Sequence, residues 1–139
     1  MKITRFDHIT IAVADLEAAI EKFSRCLNLQ VKDRRSVKHL GMENVFLPLG
    51  DGALELVTPL KDPEAPKQVE RFLERKGEGM MMLCLTVEDI DLALSHLNEC
   101  GVRVIEDRDA DGDKIALIHP KDMFGVMIEL RMGKRKIRE

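Results

Sequence analysis

Shifted by 74 residues, the sequence matches itself: FDHITIAVADLEAAIEKFSRC from Phe6 lies over MMMLCLTVEDIDLALSHLNEC from Met80. Val13 meets Val87, Asp15 meets Asp89, Ala19 meets Ala93 and Cys26 meets Cys100, while Ile9, Ile11, Leu16 and Ile20 meet other apolar residues. The same offset returns where Leu54-Glu55-Leu56 meets Ile128-Glu129-Leu130. One offset at both ends of a unit marks an internal duplication, so the chain is expected to build one supersecondary unit twice.

Each copy reads alike. Alternating runs at His8–Val13 and Met82–Val87 predict strands. Asp15 and Asp89 stand as helix N-caps, followed by apolar residues at helical spacing: Leu16, Ala19, Ile20 and Phe23, then Ile90, Ala93, Leu94 and Leu97. Three more strands are predicted per copy, at about 30–35, 44–49 and 53–59, then about 103–107, 114–119 and 125–132. Between the copies, Asp62-Pro63 is taken to start a helix with Val69, Phe72 and Leu73 on one face, stopped at Gly77. The basic end Gly133–Glu139 reads as a frayed tail. The expectation is an α+β fold over 1–139 as a single domain: module one at about 4–60, a linker helix at about 62–77 and module two at about 79–132. Both modules are βαβββ, forming a cupped mixed sheet around a central cleft.

Composition narrows the function classes. A net charge of -3 with five Phe and no Trp or Tyr gives no footing for nucleic acid. No apolar run is long enough to span a bilayer. Cys26, Cys84 and Cys100 are odd in number and lack CxxC spacing, as expected of reduced thiols in a cytoplasmic protein.

Strand alternation then selects the cleft residues. With Ile9, Ile11 and Val13 facing the helix, His8, Thr10 and Ala12 face the other way. So do Glu55 and Val57 on the fourth strand, Met82, Cys84 and Thr86 in the second copy, and Met127, Glu129 and Arg131 on the last strand. His8 and Glu55 are 47 residues apart, as are Met82 and Glu129. A carboxylate flanked by apolar residues is costly without a partner. An imidazole and two carboxylates converging from three strands suit a divalent cation with open positions. His8, Glu55 and Glu129 are therefore the candidate metal ligands. Met82 is a poor ligand for such an ion and reads as cleft lining, and Cys84 is a lesser candidate for a soft metal.

These residues resemble the vicinal oxygen chelate (glyoxalase/bleomycin resistance/dioxygenase) superfamily, and within it the methylmalonyl-CoA epimerases. FDHITIAVADLEAAIEKF, FLPLGDGALELVTPL, FLERKGEG, GVRVIED and IALIHPKDMFGVMIEL carry the resemblance over nearly the whole chain. It implies an isomerase that removes an α-proton from a methylmalonyl-CoA-like acyl-CoA, with a divalent ion (Co²⁺, Mn²⁺, Ni²⁺ or Zn²⁺) stabilising the enolate. It implies His8, Glu55 and Glu129 as ligands, Glu129 as ligand or released catalytic base, and a homodimer. Two departures stand out: Met82 where the family carries His or Gln, and Asn44 where some epimerases carry an acid/base glutamate. An amide cannot take a proton as a carboxylate does, which leaves His39 or a water for the second transfer. Lys32, Arg34, Arg35 and Lys38 are either contacts for coenzyme A phosphates or a solvated strand face. The alternatives are a glyoxalase I-type lyase and a non-catalytic small-molecule-binding or resistance protein of the same fold.

Overall fold

The computed structural model describes residues 1–139, and its class is α+β, as expected. The elements run β1 (Ile3–Ala12), α1 (Leu16–Leu27), β2 (Lys32–Val37), β3 (Met42–Leu49), β4 (Gly52–Pro59), α2 (Gln68–Lys76), β5 (Gly79–Val87), α3 (Ile90–Glu99), β6 (Val104–Arg108), β7 (Lys114–Ile118) and β8 (Met127–Met132). The strand–helix–three-strand order therefore occurs twice. Single 3₁₀ turns at Lys38–Leu40 and Pro120–Asp122 were not foreseen. No helix is long and apolar enough to cross a membrane.

Two compact units result, and they do not coincide with the two sequence copies. One contains Met1–His8 and Met82–Arg135, the other Ile9–Met81 and Lys136–Glu139. The division falls within β1, so His8 belongs to the first unit although it lies in the first copy.

In the first unit the strand order is β1-β5-β8-β7-β6. β5 and β8 are parallel, with Cys84 opposite Glu129 and Met82 opposite Met127. Here β1 is tied down by Thr4 Oγ1 against Thr86 Oγ1 at 2.6 Å and by Glu88 N donating to Lys2 O. α3 starts where Asp89 accepts from the amides of Asp91 and Leu92. Its Ile90, Ala93 and Leu97 pack on Val87, Ala116, Ile118 and Leu130, with Leu85 and Ile128 beside them. Leu85 and Val87 on β5 and Ile128 and Leu130 on β8 thus pack on the helix side, opposite the residues that alternation assigns to the cleft.

In the second unit the order is β2-β3-β4-β1. Asp15 caps α1 by accepting from Ala18 N at 3.0 Å. The helix lays its apolar stripe over Ile11, Val13, Val45, Leu47, Leu54 and Leu56. The opposite face is not all cleft. Ala12 and Val57, assigned there by alternation, are fully buried under α2 through Val69, Phe72 and Leu73. Periodicity identifies a face but not what later covers it.

α2 begins at Gln68 rather than at Asp62-Pro63. The intervening residues turn instead, with Ala65 N donating to Asp62 O, and Pro66 keeps the residue before it out of helical geometry. A close approach also holds this segment. Gly41, at φ +66, lies where a Cβ would sit 2.0 Å from Pro66 O, so only glycine fits. Gly77 ends the helix as expected, its amide donating to Leu73 O at 2.9 Å.

The C-terminal segment is not a frayed tail. Arg135 is 6% exposed and its amide donates to Asp7 Oδ1 at 3.1 Å. Further on, Arg138 N donates to Asp33 Oδ2, and Lys32 pairs with Glu139. The segment has no apolar periodicity, so its docking through charges left no pattern to read.

Candidate functional site

His8 sits on β1 in the first unit, 2% exposed. Its Nδ1 is 2.6 Å from Asp7 Oδ2. A carboxylate only accepts, so Nδ1 carries a proton, and Nε2 is the nitrogen a neutral ring would offer to a ligand. Asp7 is itself buried, and burial alone would raise its pKa. Hydrogen bonds from His8, the Arg135 amide and Arg5 outweigh that and hold the carboxyl well below the usual range. A carboxylate orienting an imidazole in this way is how proteins aim histidine at a cation.

Cys84 lies within reach of the same group; ligand-type atoms of Asp7, His8 and Cys84 fall within 4.8 Å of one another. Its thiol donates to Glu129 Oε2 at 3.2 Å. Burial, then the charge of Glu129 and this hydrogen bond, push its pKa far above that of an ordinary thiol. The thiol hydrogen is thereby spent on Glu129, which makes Cys84 a donor to that carboxylate. Asp7 is committed to three donors. Both residues therefore read as supports for His8 and Glu129 rather than as ligands.

Glu129, 7% exposed, also faces Arg131 NH1 at 3.7 Å. That nitrogen is buried and has no hydrogen-bond partner in the protein. Arg131 NH2 is satisfied by Asp109 Oδ2 at 2.8 Å.

The second unit holds the counterpart of this arrangement. Glu55 is 4% exposed; Thr10 Oγ1 donates to its Oε1 at 2.6 Å and Asn44 Nδ2 to its Oε2 at 2.7 Å. Thr10 and Glu55 are separated by 45 residues, as are Cys84 and Glu129, so the duplication has kept a side-chain donor on each carboxylate, a hydroxyl on one and a thiol on the other. Asn44 Oδ1 is buried and accepts no hydrogen bond from the protein.

Each unit by itself carries donors of a kind a divalent cation takes: the imidazole of His8 and the carboxylate of Glu129 in the first, the carboxylate of Glu55 in the second. The imidazole tautomer is fixed, each carboxylate is held by donors, and the orphaned Asn44 Oδ1 next to Glu55 calls for a donor such as a coordinated water. Met82 is a half-buried thioether, and hard cations gain little from it.

Other expected residues lie elsewhere. Arg34 pairs with Glu17 and with Glu43 at 2.8 Å, Arg35 with Asp33 at 2.7 Å and Lys32 with Glu139. These cations already have carboxylate partners, which supports the strand-face reading over phosphate contacts. His39 is exposed in its 3₁₀ turn. Sequence reasoning missed Asp7 and Arg135. The Asp7-His8 dipeptide was a readable signal for the first; nothing local marked the second.

A family model described as "Glyoxalase/Bleomycin resistance protein/Dioxygenase superfamily" matches residues 7–117. The chain is 33% identical over 133 residues to the ethylmalonyl-CoA/methylmalonyl-CoA epimerase of Cereibacter sphaeroides, covering 92% of this chain and 97% of that one. It is similar to the crystal structure of methylmalonyl-CoA epimerase from Mycobacterium tuberculosis, with TM-score 0.84, 31% identity and coverage of 96% and 90%. It also resembles a methylmalonyl-CoA epimerase solved in complex with methylmalonyl-CoA and NH4+, with TM-score 0.85, 28% identity and coverage of 95% and 96%.

Proposed function

The chain belongs to the glyoxalase/bleomycin resistance protein/dioxygenase superfamily, and from that membership we propose that it is an acyl-CoA epimerase acting on a methylmalonyl-CoA-like thioester. The supporting observation is the repeated pair of buried carboxylates, each held by a hydroxyl or thiol donor from a neighbouring strand. Relatives and structural neighbours named as epimerases over nearly the whole chain give the reaction class.

In this reading His8, Glu55 and Glu129 are the residues that would hold a divalent ion, which when bound would supply electrophilic stabilisation of negative charge on a substrate oxygen. The side chains do the rest. Asp7 keeps the His8 proton on Nδ1. Thr10 and Asn44 fix the rotamer of Glu55, and Cys84 and Arg131 stand against Glu129. Glu129 is the group assigned to one proton transfer, since a carboxylate near the α-carbon can take and return a proton. Asn44 cannot serve as the opposite base, because an amide oxygen is too weakly basic. Its role is to orient Glu55 and to accept from a substrate or water donor.

One observation favours a second reading. The thioether of Met82 removes a ligand position, as a binding protein without catalysis would tolerate. Exchange of the α-proton of methylmalonyl-CoA with solvent deuterium separates the two. An epimerase exchanges it in the presence of Co²⁺ or Mn²⁺, and a binder does not.

A further inference from the structure

Arg135 joins the two ends of a buried chain of charges in the first unit, and we propose that it is a positioning residue for both His8 and Glu129. The inference rests on the ligand roles given above. Its backbone amide donates to Asp7 Oδ1 at 3.1 Å, and the other oxygen of Asp7 holds His8 Nδ1 at 2.6 Å. Its guanidinium donates to Asp111 Oδ2 at 2.8 Å and lies 3.8 Å from Asp109 Oδ2. Asp109 in turn holds Arg131 NH2 at 2.8 Å, and Arg131 NH1 faces Glu129 at 3.7 Å.

Asp7, His8, Asp109, Glu129, Arg131 and Arg135 are all buried. Buried charges keep one geometry only while each has its partner, because an uncompensated charge costs more than the pair contributes. Asp7 can present Oδ2 to His8 in one orientation because Oδ1 is held by the Arg135 amide and by Arg5. Arg131 can keep NH1 toward Glu129 because NH2 is anchored on Asp109, and Asp109 is fixed by amides of Asp111 and Asp113 and faced by Arg135. Within the carboxylate-rich sequence Asp107-Arg-Asp109-Ala-Asp111-Gly-Asp113, Asp109 pairs with Arg131 and Arg135, and Asp111 pairs with Arg135. Arg135 contributes to the two arms separately: the amide to the His8 arm, the guanidinium to the Glu129 arm.

Full-length Arg135→Pro, Arg135→Ala and Arg135→Lys separate them. The imidazole ¹⁵N shifts of His8 are read without metal, and Co²⁺ affinity is read by titration. Arg135→Pro removes the amide donor; the His8 shifts are expected to move from one tautomer toward a mixture, with Co²⁺ binding weakened roughly tenfold. Arg135→Ala keeps the amide; the His8 tautomer is expected to stay while the Glu129 carboxyl ¹³C shift moves and Co²⁺ affinity drops several-fold. Arg135→Lys is expected to recover part of that loss.

Unchanged His8 shifts in a cooperatively folding Arg135→Pro overturn the first arm. Should that variant not fold, Asp7→Asn supplies the same comparison, and unchanged His8 shifts there overturn the arm equally. Unchanged Glu129 shift and Co²⁺ affinity in Arg135→Ala overturn the second. If His8→Ala binds Co²⁺ as tightly as the parent, the metal reading fails, while the ¹⁵N comparison still decides the positioning role.

Discussion

Cys84 Sγ donates a hydrogen bond to Glu129 Oε2 at 3.2 Å, at the position where Thr10 Oγ1 donates to Glu55 Oε1 in the other copy of the repeat. The duplicated strands have diverged in sequence, yet each places a donor against its carboxylate. Cys84→Ala leaves Glu129 with one donor fewer and is expected to weaken Co²⁺ binding several-fold, whereas Cys84→Ser retains a hydroxyl donor and is expected to stay near the parent value. Thiol labelling of the folded protein is expected to stop at two groups, because Cys26 and Cys100 are exposed and Cys84 is buried. Labelling of a third at the same rate would contradict the burial.

Glu55 depends on Thr10 and Asn44 in the same manner. Removing either donor leaves a buried carboxylate under-satisfied, at a cost of about 1–3 kcal/mol. Thr10→Val and Asn44→Leu are each expected to lower the denaturant midpoint with little change in slope, which equilibrium urea unfolding reads directly.

Asp122 supplies the pH dependence. Its carboxyl accepts from the Arg103 side chain and then from the Arg103 amide, which lowers its pKa from 3.8 to about 2. A carboxyl depressed in the folded state adds stability above its unfolded value. That stability is lost as the pH falls from about 3.8 toward about 2. Arg103 is exposed and Asp122 half-buried at the surface, so salt is expected to shrink the effect. Carboxyl NMR titration of Arg103→Ala should show the pKa returning toward 3.8.

Met82→His tests the incomplete ligand set. An imidazole in place of the thioether is expected to tighten Co²⁺ binding by at least tenfold if this side chain faces the ion. Unchanged affinity would remove position 82 from the site.

The duplicated fold was legible because apolar alternation and helical spacing recur at one offset, and that periodicity placed Leu54, Leu56, Ile128 and Leu130 on the packed faces correctly. From those faces the same logic assigned His8, Thr10, Glu55, Cys84 and Glu129 to the opposite face of their own strands, and all five are buried polar or thiol groups with partners. What escaped depends on contacts distant in sequence. α2 covers Ala12 and Val57 from residues past 68, and Arg135 reaches Asp7 across 128 positions. The start of α2 was misread because Asp62-Pro63 is a good helix opening locally, while Pro66 and the Gly41 contact override it.

The most direct test is epimer interconversion. Incubated with Co²⁺ and a single C2 epimer of methylmalonyl-CoA, the protein is expected to produce the other epimer, and Glu129→Gln to lose at least a hundredfold of that rate while still folding. Sustained retention of the starting epimer, with the thioester bound but unchanged at every divalent ion tried, would contradict the account and leave a binding protein in its place.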